Sequence, residues 1–347
     1  MEMKRRDFIS AAASAFAFGG CSTAAKAVKG PEPEFIWSYL AHFGVNSWRD
    51  VPLETQDPSL SERWLTRCCA NHVRFDEQSW NRLSAALAKA GCNQIIIDLA
   101  EIVEYPSHPE LAVKGSWSVE KLRTELARLR KLGLEPIPKL NFSAMHDEWL
   151  GDYGRMLSTD EYYRACGDLI RECVAIFDNP RFFHIGYDEE DIRNQSNHEH
   201  VVLRQGELWW HDFLWFVKTV ESAGSRTWIW SDWIWEHHDE FLKRCPRSVL
   251  QSNWYYDQGF SERAFRWPRI KCYLDLDKAG FDQIATASNN VFASNAGETV
   301  EFCERNLSDG RLKGYLMSSW RRCLPEERNR TLEAVDLMAE AFHKFVQ

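Results

Sequence analysis

Residues 80–98 read WNRLSAALAKAGCNQIIID, which joins an apolar helical pattern to a short apolar strand. Trp80, Leu83, Leu87 and Ala90 recur at helical spacing, and Gly91 follows where a helix would end. The run from Gln94 to Asp98 is too short for a helix and is rich in isoleucine. The stretch therefore predicts an amphipathic helix, a glycine stop and a buried strand.

The same unit recurs along the chain. The pattern predicts further helices near 118–132, 160–177 and 206–223. The predicted strands are Phe35–Phe43, Gln94–Asp98, Pro136–Asn141, Arg181–Tyr187, Thr227–Asp232, Val249–Trp254, Val291–Ser294 and Gly314–Trp320. Eight strands alternating with helices are typical of a (β/α)8 TIM barrel, whose active sites gather at the strand ends. The alternative is a doubly wound open sheet, but that fold usually carries a glycine-rich phosphate turn, and none is visible.

The first residues have the features of an export signal. Lys4-Arg5-Arg6-Asp7-Phe8 precedes a weakly apolar stretch of about a dozen residues, which is shorter than the roughly 20 that span a bilayer. We therefore expect residues 1–21 to be a twin-arginine signal peptide and the protein to be periplasmic. Cys21 is a candidate lipidation site and would be the only link to a membrane. Residues 22–34 are predicted to be a linker, and 35–347 to be one barrel domain.

Composition narrows the function classes. The net charge is -9 and no basic block is present, which argues against a nucleic-acid partner. The ten cysteines form no C-x-x-C pair, so no zinc or redox signature appears, and no cofactor is expected. Cys166 and Cys173 lie two helical turns apart, too far to form a disulfide. The chain contains 16 tryptophans, several of them at predicted strand ends.

Residues 181–191 read RFFHIGYDEED, a buried strand that ends in four consecutive acids. One interpretation is an acidic site, and the other is a charged loop that closes a core strand. Successive strand residues point to opposite faces, so adjacent acids are badly placed to flank a glycosidic bond as the usual acid and nucleophile. They suit a different division of labour, in which one acid protonates the leaving oxygen and its neighbour orients a nucleophilic group of the substrate.

The run His184-Ile185-Gly186-Tyr187-Asp188-Glu189 resembles the His-x-Gly-Gly-Asp-Glu signature of family 20 glycoside hydrolases, the β-N-acetylhexosaminidases. Tyr187 stands where that family has its second glycine. The resemblance implies an oligosaccharide or glycoconjugate substrate that carries an N-acetylated amino sugar. It also implies that Glu189 is the general acid/base and that Asp188 orients the substrate acetamido group, which attacks the anomeric carbon.

Carboxylates and aromatics at the other strand ends complete the predicted sugar site, because sugars present apolar faces and polar rims. Trp230-Ser231-Asp232 and Tyr255-Tyr256-Asp257 are similar to segments of the family. Two departures leave the identity of the sugar open: Trp320-Arg321-Arg322 replaces the family's Trp-Ser-Glu, and the first strand lacks its sugar-binding arginine. The predicted substrate-binding residues are Asp98, His146, Asp232, Trp233, Trp254, Tyr255, Asp257, Trp320 and Arg322.

Other functions stay open at this point. A non-catalytic carbohydrate-binding barrel would keep the tryptophans, and a hydrolase of another glycan could pair a carboxylate with Asp232 or Asp98. A metal-dependent hydrolase would need histidine and aspartate ligands at several strand ends; we expect no metal. His198-Glu199-His200 is interpreted as a solvated loop, and His184 as a core histidine. Five tryptophans are predicted to be core residues: Trp209, Trp210, Trp215, Trp228 and Trp230.

Overall fold

Parallel strands close into an eight-stranded barrel, in which each strand pairs with its neighbours in sequence and β1 pairs with β8. The computed structural model describes residues 35–260 and 267–346. Within these ranges the strands are β1 Ile36–His42, β2 Gln94–Asp98, β3 Glu135–Lys139, β4 Phe182–His184, β5 Arg226–Trp230, β6 Leu250–Ser252, β7 Gln283–Ser288 and β8 Leu312–Ser318. The closed order confirms the predicted (β/α)8 barrel and excludes the open sheet.

Helices surround the barrel. In the described part of the chain they are α1 Glu62–Leu65, α2 Glu77–Lys89, α3 Val119–Lys131, α4 Asp160–Ile176, α5 Gly206–Ser222, α6 His238–Arg244, α7 Pro268–Lys278, α8 Asn295–Asn306 and α9 Arg328–Phe345. Short 3₁₀ segments occupy Leu53–Thr55, Ala100–Ile102, Pro109–Leu111, Glu148–Arg155, Asn194–Asn197, Asp232–Trp235 and Pro325–Glu327. None of the helices in these ranges combines the length and apolar character needed to cross a bilayer.

Local sequence sets the ends of the helix that precedes β2. The Asp76 carboxylate accepts the Ser79 N–H, which satisfies one of the free donors at the start of α2. At the other end, Gly91 adopts a φ of 86° and the Cys92 N–H donates to the Leu87 carbonyl. The predicted helix, glycine stop and strand are therefore confirmed in this unit.

Alternating strand residues separate the two layers of the core. On β2, Ile96 points into the barrel and packs with residues such as Leu40 and Leu316. Its neighbours Ile95 and Ile97 belong to the larger cluster that lies between the barrel and the helices. Both faces of β2 are therefore buried, which explains its continuous run of isoleucines in the sequence.

The seventh strand was predicted in the wrong place. The structure puts β7 at Gln283–Ser288, whereas Val291 lies beyond it and is 55% exposed. The residues of β7 are Gln-Ile-Ala-Thr-Ala-Ser, which are mostly small or polar, and all six are buried. Small side chains fit where the strand packs closely, so this strand has a weak hydrophobic signal in the sequence.

The predicted export signal, Cys21 and the linker lie outside the described residues. Within the described ranges the cysteines are free, and all but Cys69 are buried. Cys166 and Cys173 are both buried on α4, without a disulfide.

Candidate active site

A cavity of about 890 Å³ opens at the carboxyl ends of the barrel strands. Its walls include the last residues of β1, β2 and β3, which are His42, Asp98 and Lys139. Residues that follow β4, β6 and β8 also line it, and the predicted site residues among these are Asp188, Glu189, Trp254, Trp320 and Arg322. This is the end of the barrel at which the fold carries its active sites.

Asp188 and Glu189 converge on the imidazole of His146, which also lines the cavity. The His146 Nε2 atom lies 3.3 Å from Asp188 Oδ2 and 3.4 Å from Glu189 Oε2. Nδ1 of the same ring donates to the Ser47 carbonyl at 2.8 Å, which fixes the ring orientation. The two adjacent carboxylates and His146, which is distant from them in sequence, therefore form one cluster.

The charges within this cluster control its protonation. Burial alone would lower the pKa of His146, but the Asp188 and Glu189 carboxylates outweigh burial and raise the pKa to about 10. Burial alone would raise the pKa of Asp188, whereas the His146 charge and then Lys139 bring it below its usual 3.8. At neutral pH the cluster therefore contains an imidazolium next to an ionised Asp188.

The backbone explains how two adjacent acids reach one cavity. Strand β4 ends at His184, and Gly186, Tyr187 and Glu189 follow with φ values of 68°, 75° and 56°. Positive φ is uncommon for residues other than glycine, and such outliers cluster at functional sites. The alternation of a regular strand is thus interrupted, so the expected placement of Asp188 and Glu189 on opposite faces does not apply here.

Asn141 holds this irregular segment. Its Nδ2 donates to Asp188 Oδ1 at 2.9 Å, and its Oδ1 accepts the Tyr187 N–H at 3.2 Å. A Cβ atom on Gly186 would lie 2.0 Å from the Asn141 Oδ1 atom, so only glycine fits there. Tyr187 turns into the core and its hydroxyl accepts from Arg204 at 2.8 Å.

Asp232 holds the backbone of Glu189 in place through a hydrogen bond. Its Oδ2 accepts the Glu189 N–H at 2.8 Å, and its Oδ1 has no hydrogen-bond partner among the described residues. Burial, followed by the negative charge of Asp188, raises the pKa of Asp232 well above 3.8. Asp232 was predicted to bind substrate, but it does not line the cavity. Its contact is with the backbone of the predicted acid/base.

Asp98 belongs to a buried ion-pair group on the β1–β3 side of the cavity. Lys139 Nζ donates to Asp98 Oδ2 at 2.7 Å, and His42 Nδ1 donates to the same oxygen at 3.1 Å. Burial alone would raise the pKa of Asp98, but the Lys139 charge reverses the effect and holds the pKa well below its usual value. His42 and Lys139 were not among the predicted site residues. They end β1 and β3, the two strands that pair with β2, whose last residue, Asp98, was predicted.

An aromatic wall lies across the cavity. The Trp254 and Tyr256 rings stack at 4.9 Å, and Trp320 lies 5.9 Å from Tyr256 and 5.7 Å from Trp230. Trp230 was predicted to be a core residue; it is buried but also lines the cavity. The Tyr256 hydroxyl and the Trp320 indole N–H have no hydrogen-bond partner in the part of the chain described. Both polar atoms are buried in the cavity wall.

Trp233 was predicted in the site but packs in the helical layer. It lies in the 3₁₀ segment after β5, and its ring stacks on Trp209 at 4.2 Å and on His237 at 4.0 Å. It does not line the cavity. The tight turn of the 3₁₀ segment directs the side chain away from the barrel axis, which strand-end counting could not show.

Tyr255 and Asp257 also lie outside the cavity. The Tyr255 hydroxyl donates to the Gln258 carbonyl at 3.2 Å, and the exposed Asp257 accepts the Gln258 N–H at 2.8 Å. The residue between them, Tyr256, faces the cavity instead. The prediction was therefore one residue out of register, because β6 ends at Ser252 and the following loop sets the direction of each side chain.

Arg322 lines the cavity, but its guanidinium already forms an ion pair with the Glu327 carboxylate. Its Nη2 and Nε donate to Glu327 Oε1 at 2.8 Å and 3.2 Å, and its backbone N–H donates to the other oxygen. Arg321 lines the cavity beside it. The substrate contact predicted for Arg322 therefore competes with an intramolecular ion pair.

His184 fits the sequence interpretation, whereas His198 of the predicted solvated loop is only partly exposed and lines the cavity. His184 is fully buried between Trp228 and Trp230, and its Nδ1 accepts the Gly186 N–H at 3.0 Å. Burial and then the Lys139 charge lower its pKa well below 6.5, so it is a neutral core residue. His198-Glu199-His200 lies on a loop, where two backbone N–H groups donate to Asp50.

The cluster of His146, Asp188 and Glu189 also has the composition of a metal site. Ligand atoms of His146, Asp188 and Glu189 lie within 4.8 Å of one another. A metal requires a neutral histidine, whereas the raised pKa of His146 favours a proton on the ring. A cation would therefore have to displace that proton, and at neutral pH the two compete for the same position.

No family model matches the sequence, and no curated protein matches it. Solved structures do match. They include a chitobiase from Flavobacterium johnsoniae (17% identity, 84% of this chain and 48% of that one, TM-score 0.56) and a β-N-acetylhexosaminidase from Bacteroides fragilis (11%, 88% and 65%, TM-score 0.59). A third is a family 20 exo-β-N-acetylglucosaminidase from Vibrio harveyi in complex with N-acetylglucosamine (14%, 91% and 58%, TM-score 0.56).

At these identities the similarity shows a shared fold. The chain spans between about half and two thirds of the length of these three proteins. All three are named as enzymes that act on N-acetylated amino sugars, or as family 20 members.

Proposed function

We propose that this protein is a glycoside hydrolase that removes β-linked N-acetylhexosamine from glycans, with Glu189 as general acid/base and Asp188 as the orienting carboxylate. The observation that carries the proposal is the convergence of both carboxylates on His146 at the end of β4. The similarity of the fold to hexosaminidases supports the same activity. The aromatic wall of Trp230, Trp254 and Trp320 supplies apolar surface for a sugar ring.

The proposed reaction uses the substrate's own acetamido group. Glu189 donates a proton to the glycosidic oxygen as the acetamido carbonyl oxygen bonds to the anomeric carbon and the leaving group departs. Asp188, kept ionised by His146, accepts the acetamido N–H and stabilises the positive charge that develops on the cyclic intermediate. The Glu189 carboxylate then removes a proton from the water that opens this intermediate. The proposed donor for the acetamido oxygen is the Tyr256 hydroxyl, which has no hydrogen-bond partner among the described residues.

The distance between the acids argues against an inverting mechanism. Their nearest oxygens lie within 4.8 Å, whereas inverting enzymes separate the two carboxyl groups by roughly 6.5–9.5 Å to admit a water molecule. A conventional retaining pair, in which one carboxylate is the nucleophile, needs a separation of about 5–5.5 Å. The distance therefore does not distinguish that route from substrate assistance, but the need for an acetamido group on the substrate does. Hydrolysis of non-acetylated hexosaminides at the same rate as acetylated ones would exclude substrate assistance.

The test compares Glu189→Gln and Asp188→Asn on aryl N-acetyl-β-hexosaminides whose leaving groups differ in basicity. With a poor leaving group, Glu189→Gln should lower kcat by about 10²- to 10⁴-fold, because the proton donor is lost and the shape is kept. With an activated leaving group this variant should recover much of the first-step rate. Asp188→Asn should stay impaired with both substrates, because it no longer stabilises the acetamido nucleophile.

Asp191→Asn is the matched control, since its carboxylate belongs to the same acidic run but accepts from Asn194 at 2.8 Å outside the cavity. Its kcat should stay within about twofold of wild type. Equal recovery of the Asp188 and Glu189 variants with the activated substrate would contradict the assigned roles. A wild-type protein that binds N-acetylhexosamine but never hydrolyses its glycosides would favour the carbohydrate-binding barrel.

We also propose that the protein acts after export through the twin-arginine pathway, on the basis of Arg5-Arg6 and the short apolar stretch that follows. Cys21 would then provide a lipid anchor on the periplasmic side. Export in the folded state suits a barrel whose described cysteines are free and mostly buried thiols.

A further inference from the structure

Arg321 is a cation of the cavity wall that has no ion-pair partner among the described residues. It follows β8 and lines the same cavity as Glu189. Its Nε atom is buried and has no hydrogen-bond partner among the described residues, and none of their carboxylates forms an ion pair with it. A guanidinium held in that state has lost part of its hydration without compensation, which an anionic ligand would restore.

The neighbouring acids are already engaged. Glu327 accepts from Arg322 at 2.8 Å, and Asp98 accepts from Lys139 at 2.7 Å. Arg49 and Arg67 add positive charge to the cavity wall from the segment after β1. Glu62 is an acid on the wall but it is exposed to solvent. This side of the cavity therefore favours a negative charge next to Arg321.

The barrel places Arg321 opposite the reacting bond. In an eight-stranded closed barrel, β4 and β8 face each other across the axis. Glu189 follows β4 and would protonate the oxygen on C1 of the sugar, whereas Arg321 follows β8. In a pyranose the C4–C6 edge lies opposite C1, so this edge points toward Arg321 when C1 lies at Glu189. Trp320, which directly precedes Arg321 and has a φ of 52°, lines the same cavity.

We propose that Arg321 binds an anionic ester, a sulfate or a phosphate, carried at the C4–C6 edge of the terminal amino sugar. This inference rests on the proposed function for the orientation of the sugar, and it names the substrate class of the same site. Arginine suits the task because its planar N–H fork donates two parallel hydrogen bonds to such an oxyanion. Arg322 does not compete, since Glu327 already uses its fork.

Binding of reaction products tests the proposal without requiring turnover. Isothermal titration calorimetry would compare N-acetylglucosamine with its 6-sulfate and its 6-phosphate on the full chain. We expect at least one anionic sugar to bind wild type about tenfold or more tightly than the neutral sugar, and Arg321→Gln to reduce that ratio to within about threefold. The two anionic arms identify whether sulfate or phosphate is the better ligand.

Arg305→Gln is the control, because it removes the same charge from a 73% exposed arginine on α8 that pairs with Glu301. It should keep the full preference for the anionic sugar. Equal affinity of wild type for neutral and anionic sugars would overturn the proposal, and so would an unchanged preference in Arg321→Gln or no binding of any of the three. If the preference depends on Arg321 but the protein hydrolyses no N-acetylhexosaminide, the result supports the anion site and contradicts the proposed hydrolase activity.

Discussion

His146 should make the stability of this protein depend on pH in the alkaline range. Its side chain is 6% exposed and lies within 3.4 Å of two carboxylates, which raise its pKa from 6.5 to about 10. A histidine whose pKa is higher in the folded state than in the unfolded state stabilises the fold when protonated. The contribution is therefore complete below pH 6.5 and disappears as the pH rises through about 10.

The magnitude follows from the same shift. One unit of pKa difference is worth about 1.4 kcal/mol, so the stabilisation by His146 is of order 4 kcal/mol at neutral pH. His146→Gln removes the titrating group, while its amide can still donate to the Ser47 carbonyl. Urea unfolding of both proteins at pH 6.5 and at pH 10, with reductant present, gives the difference in their free energies of unfolding at each pH.

We expect wild type to exceed His146→Gln by about 4 kcal/mol more at pH 6.5 than at pH 10. Groups remote from the cluster also titrate over this range, but they are present in both proteins and cancel in the difference. Asp188→Asn serves as a second control, because removal of the main carboxylate partner should reduce the pH dependence. If the difference in free energy of unfolding between wild type and His146→Gln is the same at both pH values, His146 is not held protonated by the two carboxylates.

Two further predictions concern Asp232 and export. Because Asp232 Oδ2 accepts the Glu189 N–H, Asp232→Asn should retain this acceptor and most of the activity, whereas Asp232→Ala should misplace Glu189 and lower kcat by about 100-fold. Equal losses in steady-state assays of the two variants would show that Asp232 does more than accept this hydrogen bond. Replacement of Arg5 and Arg6 by lysine should leave the folded protein in the cytoplasm, as measured by cell fractionation and immunoblotting, and normal export would contradict the twin-arginine interpretation.

The sequence predicted the fold because each unit of the barrel is defined by neighbouring residues. Helical periodicity, caps such as Asp76 and stops such as Gly91 act within a few residues, so they can be identified without the rest of the chain. The exception is β7, whose small residues from Gln283 to Ser288 are buried because other elements pack closely against them. Its burial depends on the packing around it and not on its own sequence. The seventh strand was therefore predicted at the more apolar segment that begins with Val291.

For the candidate site, the sequence indicated which residues end strands, and it singled out Asp188, Glu189 and His146. It could not determine the direction of side chains beyond the strand ends. Loops after β5 and β6 turn Trp233 and Tyr255 outward and bring Tyr256 into the cavity. Strand alternation is the only directional rule available from sequence, and it stops where the regular backbone stops.

The sequence by itself therefore determined the barrel, the order of its units and the acidic segment after β4. Only the tertiary structure decided that Asp188 and Glu189 share one cavity, because that depends on three residues with positive φ and on Asn141, 45 residues before Gly186. It also decided that Glu327 engages Arg322 and leaves Arg321 unpaired among the described residues. Such pairings depend on distances between side chains in space, and periodicity along the chain carries no information about them.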